Sequence, residues 1–280
     1  MILSGKEVAE DILKKTEQNI KKLGLKPTLG IVSVGNDPAS EIYVKKKLST
    51  SEKIGIEAKH YRLAANTSEK ELLILVEKLN KDNEITGFIV QLPLPKHINE
   101  NKVIGAIAPE KDVDGFHPIN MGKLFLGLDD PGAMIPATPY GVMKMLEYYE
   151  VELEGKHAVV VGRSNNVGKP IAILLLNRNA TVSICHSKTQ DLQEHTKRAD
   201  ILVVAVGKPK MITEEMVKEG AYVIDVGINK VGDKIIGDVD FEKVSKKAHC
   251  SPVPGGVGLL TVAMLMHNTV EAAANRKSLK

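Results

Sequence analysis

The chain reads as an α/β protein of two domains, on three observations. Helical and strand-like segments alternate almost throughout its length. The strands read as apolar runs, as around 29–34 and at 201–206, rather than alternating ones. Its 280 residues are about twice the ~150 of a usual domain. Such runs mark parallel sheets covered on both faces, because a parallel connection needs a crossover, usually a helix.

In chain order, a helix is predicted over 5–23, stopped by Gly24 as a left-handed cap. A strand follows at 29–34. Asp37-Pro38 then opens a helix, with Asp as cap and Pro at the first position, where its missing N–H costs nothing; it runs through Lys53 to Gly55. After a strand at 59–64, Ser68 and Glu71 form a capping box for a helix to Asn80. A buried strand at 87–92 ends in Leu92-Pro93-Leu94-Pro95. Thr138-Pro139 is read as the cap of a helix to Glu150. Strand 157–161, helix 167–177, strand 182–185, helix 191–198, strands 201–206 and 222–226 and a last helix at 260–275 complete the order. The expected domains are 1–139, with the terminal helix 260–280 packing back onto it, and 140–259.

Charge and composition exclude several functions. The 38 Lys and Arg against 35 Asp and Glu leave a net +3 with the signs interspersed, too balanced to specify nucleic acid or a membrane surface. Aromatic residues are 4% with no Trp, so base-stacking platforms are not expected. Cys185 and Cys250 lie far apart without a CxxC pair, which argues against a zinc site and against a disulfide framework. Charges within the first turns of MILSGKEVAEDILKK break any signal-peptide core, and no apolar run approaches the ~20 residues of a membrane span. The expectation is a soluble, cytoplasmic chain with no membrane or nucleic-acid partner.

Four stretches can carry chemistry. In residues 159–170, VVVGRSNNVGKP, a buried strand runs through a glycine turn into a helix, leaving backbone N–H groups free for an anion. Gly162 permits the turn and Gly168 the close packing of helix on strand. A Walker A loop is excluded: the two glycines stand one residue too far apart, and Pro170 replaces the required hydroxyl. Ser164 occupies the place of the second glycine of a dinucleotide fingerprint, so a ligand-free turn remains an alternative. The next strand ends Cys185-His186-Ser187-Lys188 without an acid for ribose hydroxyls. Arg163, Ser187 and Lys188 suit a 2′-phosphate, which favours NADP over NAD.

The second stretch places Tyr43 and Lys47 on one helix face. A shielded lysine there has a lowered pKa and can move protons; the alternative is that Lys45, Lys46 and Lys47 form a solvated run. The third, Lys111 to Gly115, sets carboxylates Asp112 and Asp114 two apart in a glycine-ended loop, fit for a cation, a heterocycle or a plain Asx-turn. The fourth, 251–258, is a proline-stiffened glycine loop that either receives a ligand or hinges.

Taken in order, these motifs resemble the bifunctional methylenetetrahydrofolate dehydrogenase/cyclohydrolase family along essentially the whole chain. DPASEIYVKKK (37–47), VQLPLP (90–95), KDVDGFHPIN (111–120), GRSNNVGKP (162–170), DVGIN (225–229) and PVPGGVG (252–258) carry the resemblance. It implies a catalytic lysine at Lys47 with Tyr43 beside it, Gln91 working with that lysine, and Asp114 holding the pterin ring. Substrate contacts fall on Tyr43, Val90, Gln91, Leu92, Asp114, Pro254, Gly255, Gly256, Val257 and Gly258. Cofactor contacts fall on Gly162, Arg163, Ser164, Ser187 and Ile228. It also implies NADP as cofactor, no metal, a folate substrate, a place in one-carbon metabolism, and a homodimer whose cleft lies between a folate domain and an NADP-binding domain. The reaction implied is NADP-dependent oxidation of 5,10-methylenetetrahydrofolate to the methenyl form and hydrolysis of that to 10-formyltetrahydrofolate. A dehydrogenase without the hydrolytic half, and a non-catalytic binding protein, are the alternatives. Three positions depart from the pattern: Asn166 for a branched apolar residue, Ala137 for a cysteine, and Leu259-Leu260 for Pro-Met.

Overall fold

Capping residues set the element boundaries of the first sheet. In a computed structural model that describes residues 1–128 and 133–278, α1 (Gly5–Leu23) stops at Gly24, whose φ of 56° is left-handed. β1 (Thr28–Val34) leads to α2 (Pro38–Ile54), where the Asp37 carboxylate accepts the Ser40 N–H at 2.8 Å and Gly55 ends the helix at φ 83°. β2 (Glu57–Leu63) precedes α3 (Glu69–Lys81), which starts with the capping box of Ser68 and Glu71. β3 (Gly87–Val90) follows. The three strands are parallel in the order β2-β1-β3, with β1 central. Val32, Leu72, Val76, Phe88, Ile98 and Val103 pack in the core of this unit.

Two short helices here lie outside the predicted elements. α4 (Glu100–Ile104) is capped by Asn99, and α5 (Pro118–Leu126) by His117, whose Nδ1 accepts the Ile119 N–H at 3.1 Å. A histidine cap lies outside the usual Ser, Thr, Asp, Asn set. β2 departs from the apolar pattern too: as an edge strand it keeps Glu57 and Arg62 exposed.

The second sheet has five parallel strands. α6 (Ala137–Tyr148) precedes β4 (His157–Val161), α7 (Gly168–Leu176), β5 (Thr181–Cys185), α8 (Leu192–Thr196), β6 (Ile201–Val204) and β7 (Tyr222–Asp225). An antiparallel hairpin, β8 (Asn229–Val231) with β9 (Lys234–Ile236), is followed by α9 (Phe241–Val244), β10 (His249–Cys250) and α10 (Val257–Ser278). The order is β10-β7-β6-β4-β5, so the chain reverses direction across the sheet between β4 and β6. In a sheet wound this way, ligands bind beyond the carboxyl ends of the strands at that reversal.

Thr138 does not cap α6. The helix already includes it, and its hydroxyl pairs with Thr261 Oγ1 at 2.8 Å instead. The predicted 191–198 helix shrinks to five residues, because Asp191 sits at φ 48° and makes no capping bond.

The described residues group into two compact units. One holds those of Asp11–Ala137 and Val262–Lys280, the other those of Met1–Glu10 and Thr138–Thr261. The first ten residues thus go with the second sheet, whereas the sequence reading put them with the first. Ile2 bridges Cys250, the Leu3 N–H donates to the Cys250 carbonyl at 3.0 Å, and the Gly5 N–H to that of Gly255 at 2.8 Å. Such backbone pairing leaves no trace in side-chain pattern. α10 has the length and hydropathy of a membrane span although no unbroken apolar run of that length marks it, but 61% of that window is buried within the fold. It is a core helix. Cys185 and Cys250 are buried free thiols.

Candidate active site

α2 brings Tyr43 and Lys47 to one face, and the lysine run divides there. Lys45 and Lys46 are exposed, while Lys47 is only 6% exposed. Its Nζ donates to Gln91 Oε1 at 2.9 Å. Gln91 follows β3 directly; its backbone N–H donates to the Val32 carbonyl and its Nε2 to the Leu92 carbonyl, each at 2.8 Å. Because Nε2 is committed to that carbonyl, the amide oxygen must face the lysine. Burial lowers the Lys47 pKa, and the charge of Asp114 pulls it back up. Burial raises that of Tyr43, which keeps its phenol protonated. Val90 lies in the apolar core and Leu92 packs against it, so Gln91 is the side chain of this stretch that meets Lys47.

Asp114 sits in a loop organised by its neighbours. Asp112 accepts the N–H groups of Gly115 (3.1 Å) and His117 (2.7 Å) and the Asn120 Nδ2 (3.0 Å). Gly115 has φ 76°, and a Cβ there would stand 2.5 Å from the Pro136 nitrogen. Asn268 of α10 donates to the carbonyls of Val113 (3.0 Å) and Ile135 (2.9 Å). So the first aspartate shapes the loop that carries the second. Desolvation pushes the Asp114 carboxyl up to about 6; the Lys47 charge opposes this and Asp112 adds to it. The lysine is thus shifted down by desolvation and the carboxyl up, and each charge opposes the other's shift.

The 252–258 loop belongs to the other unit. Gly255 has φ 103°, Gly256 has no room for a side chain against the Pro252 carbonyl, and Val257 is buried where α10 begins. Pro254 is exposed and Gly258 half-buried, 3.4 Å from Ile228 Cδ1 as measured from an added Cβ. Ile228 itself is exposed after β7.

A nucleotide cradle stands at the sheet reversal of this same unit. Gly162 follows β4 with φ 136°, and any side chain on it would overlap the Ala205 carbonyl after β6. A side chain on Gly168 would overlap the Gly162 carbonyl. Ser164 Oγ accepts the N–H groups of Val167 (3.2 Å) and Gly168 (3.3 Å) and so closes the start of α7. A cavity of about 240 Å³ opens there, lined by Gly162, Arg163, His186, Ser187, Ala205 and Val206 among others. Arg163, Ser187 and Lys188 are exposed, and no carboxylate lines the cavity. Strand-to-turn glycines that leave room only for backbone, with a cationic rim, fit a dinucleotide phosphate. Among the described residues no His, Cys, Asp or Glu group is placed to hold a metal ion.

Residues 3–114 match the catalytic domain of tetrahydrofolate dehydrogenase/cyclohydrolase, and residues 136–277 match its NAD(P)-binding domain. The chain belongs to that family. It is 56% identical to the bifunctional protein FolD of Sulfurihydrogenibium sp. over 97% of this chain and 96% of that one. The crystal structure of the bifunctional FolD enzyme of Campylobacter jejuni superposes with a TM-score of 0.95 at 48% identity, covering 99% of each chain. The Trypanosoma brucei enzyme, solved with NADP cofactor and an inhibitor, gives 0.95 at 36% identity over 100% and 98%. The protein is thus a two-domain α/β dehydrogenase/cyclohydrolase, and the single-activity alternative is not favoured.

Motif reading missed Asn120, Asn268 and Asp238, which hold these loops through backbone groups distant in sequence. Of these, only Asn120, inside the 111–120 motif, offered a signal; Asp112, left open as an Asx-turn, organises the loop.

Proposed function

We propose that this enzyme oxidises 5,10-methylenetetrahydrofolate to the methenyl form with NADP and hydrolyses that product to 10-formyltetrahydrofolate. Bound NADP supplies a hydride acceptor. Gly162, Arg163 and Ser164 receive the nucleotide phosphates, Ser187 contributes at the adenosine end, and Ile228 meets the far half. Asp114 holds the pterin ring by hydrogen bonds. Val90 and Leu92 shape the folate site, with Tyr43 against the ring system, and the substrate contacts that the family resemblance implies at 254–258 are carried by the other unit. The first step demands orientation more than base strength, since a folate nitrogen lone pair expels the hydride.

In the second step water adds to the methenyl carbon. Lys47 in its neutral form takes one proton from that water, leaving a neutral carbinolamine; the bond from the carbon to N5 then breaks, N5 takes up that proton, the hydroxyl proton is lost to solvent as the carbonyl forms, and N10 keeps the formyl group. An ammonium of ordinary pKa would be spent as a base at neutral pH; desolvation of Lys47 supports this role. Gln91 fixes the amine's direction. The observation that carries the reading is the 2.9 Å bond from a buried Lys47 to Gln91. Its test is Lys47→Ala assayed on the methenyl substrate: turnover should fall by ~100-fold or more, and turnover near the parent level would sink the assignment.

The folate enzyme is read as a homodimer in a reducing cytoplasm. An edge strand β5 with exposed Ile184, and α7, which packs against it, with exposed Leu176, support self-association. Equilibrium sedimentation at twice the chain mass is the expected result.

A further inference from the structure

The second unit holds a pair of buried carboxylates that the proposed chemistry does not use. Asp238, after β9, is fully buried. Its carboxylate accepts three consecutive backbone N–H groups: Val206 (2.7 Å) and Gly207 (2.9 Å) on Oδ2, and Lys208 (2.8 Å) on Oδ1. Asn229 Nδ2 donates to it as well, at 2.8 Å. Asp225, at the end of β7, in turn accepts the N–H groups of Asp238 (3.0 Å), Val239 (2.9 Å) and Gly227 (2.9 Å). Side chains on Gly227 or Gly237 would overlap these carboxylates, so the backbone is shaped around them. Burying two acids costs free energy unless their hydrogen bonds are made, and here each is satisfied by donors from separate loops.

We propose that Asp238 is a positioning residue for the nicotinamide half of the cofactor. The inference rests on the NADP reading above. Phosphates at the Gly162 turn, with the adenosine end toward Arg163 and Ser187 at β5, leave the other half one direction to take. It extends across the sheet reversal, over the carboxyl ends of β6 and β7. Those ends are the 205–208 loop and the Val226–Asn229 turn, and Asp238 bonds to both. Val206 and Ala205 line the cavity, and the Ala205 carbonyl limits Gly162. One carboxylate therefore sets the floor on which a nicotinamide would rest, and none of its four donors comes from the Gly162 turn or from the Ser187 end of β5.

This separation gives the test. Asp238→Asn keeps the size but turns an acceptor into an NH₂ group against two backbone donors. Affinities of the parent and variant for NADP and for 2′,5′-ADP, which carries only the adenosine end, would be measured by calorimetry, with thermal melts to establish folding. NADP should weaken ~10-fold or more in the variant while 2′,5′-ADP stays within about twofold. Unchanged NADP affinity, or equal losses for both ligands, would overturn the proposal. If Asp238→Asn does not fold, Asn229→Ala, which removes one of the four donors, should show a smaller selective loss, and no selective loss there overturns it too. A parent that binds neither ligand would instead defeat the NADP reading itself.

Discussion

Lys47 and Gln91 come from separate elements, the middle of α2 and the end of β3, yet their side chains meet at 2.9 Å with the amide orientation fixed by Leu92. The neutral acceptor leaves the lysine charge uncompensated at this contact, so desolvation governs its proton affinity. Gln91→Glu would put a carboxylate at the same distance. An opposite charge favours the ammonium, so the Lys47 pKa rises and less neutral amine is present at pH 7. The hydrolytic rate should fall ~10-fold or more at pH 7 and recover at higher pH, its limb displaced upward by about a unit or more. A pH–rate profile superimposable on the parent's would show that Gln91 does not act through Lys47.

Asp114 works in the opposite sense. Its negative charge raises the Lys47 pKa, so Asp114→Asn should move the same limb to lower pH while weakening folate binding. The variant also has a stability signature. The parent carboxyl sits at about 6 in the folded chain against an ordinary 3.8. The folded state therefore binds the proton more tightly than the unfolded one. Ionisation costs the parent stability above about pH 6, and that cost is relieved as pH falls through 6 toward 4. Melting curves from pH 4.5 to 7 should show the Asn variant gaining on the parent as pH rises; a difference independent of pH would contradict the raised value.

How far the sequence discloses this site depends on where each signal lies. The α2 start was legible because Asp37 and Pro38 are local caps, and they set the face that carries Tyr43 and Lys47. Periodicity could not separate Lys47 from Lys45 and Lys46, since burial of one lysine in three depends on Gln91, 44 positions away. The glycine turn at 162–168 was readable as a cradle, yet Ala205, which makes Gly162 obligatory, comes from another strand. Pairing of the N-terminal residues with Cys250 and the hub at Asp238 rest on main-chain donors, which every residue type possesses. The α5 helix escaped because a histidine caps it.

Gly168 gives a steric prediction. A methyl group there would overlap the Gly162 carbonyl and lie 2.9 Å from the Arg163 nitrogen, both backbone atoms that cannot swing aside. Gly168→Ala should displace the turn, raise the KM for NADP by ~10-fold or more and cost about 1–3 kcal/mol of stability. Oxidation should suffer far more than hydrolysis, because Lys47 lies in the other unit. Parent-like NADP kinetics in this variant would mean that the turn does not receive the phosphates.

Arg163 tests cofactor choice. It is exposed beside the cavity, with Ser187 across from it and no carboxylate in the lining to favour a free ribose. Arg163→Ala should lower kcat/KM with NADP by ~10- to 100-fold and leave NAD within a few-fold, since one charge-assisted bond to a phosphate is worth about 1.5–3 kcal/mol. Equal losses with both cofactors would assign Arg163 to the shared pyrophosphate instead of the 2′-phosphate.

Asn268 ties α10 to the Asp114 loop through two donated bonds, both to backbone carbonyls. It is 3% exposed, and its Nδ2 reaches Val113 at 3.0 Å and Ile135 at 2.9 Å. Asn268→Ala leaves both acceptors without this donor in a site too enclosed for water to replace it freely. The loss should be about 1–3 kcal/mol of stability. Because Val113 directly precedes Asp114, the slackened loop should also raise the folate KM several-fold while NADP affinity holds, the cofactor cradle being in the other unit. Steady-state kinetics with each substrate varied separately would decide: a change in NADP affinity equal to that for folate would show that Asn268 supports the fold at large and not the pterin loop.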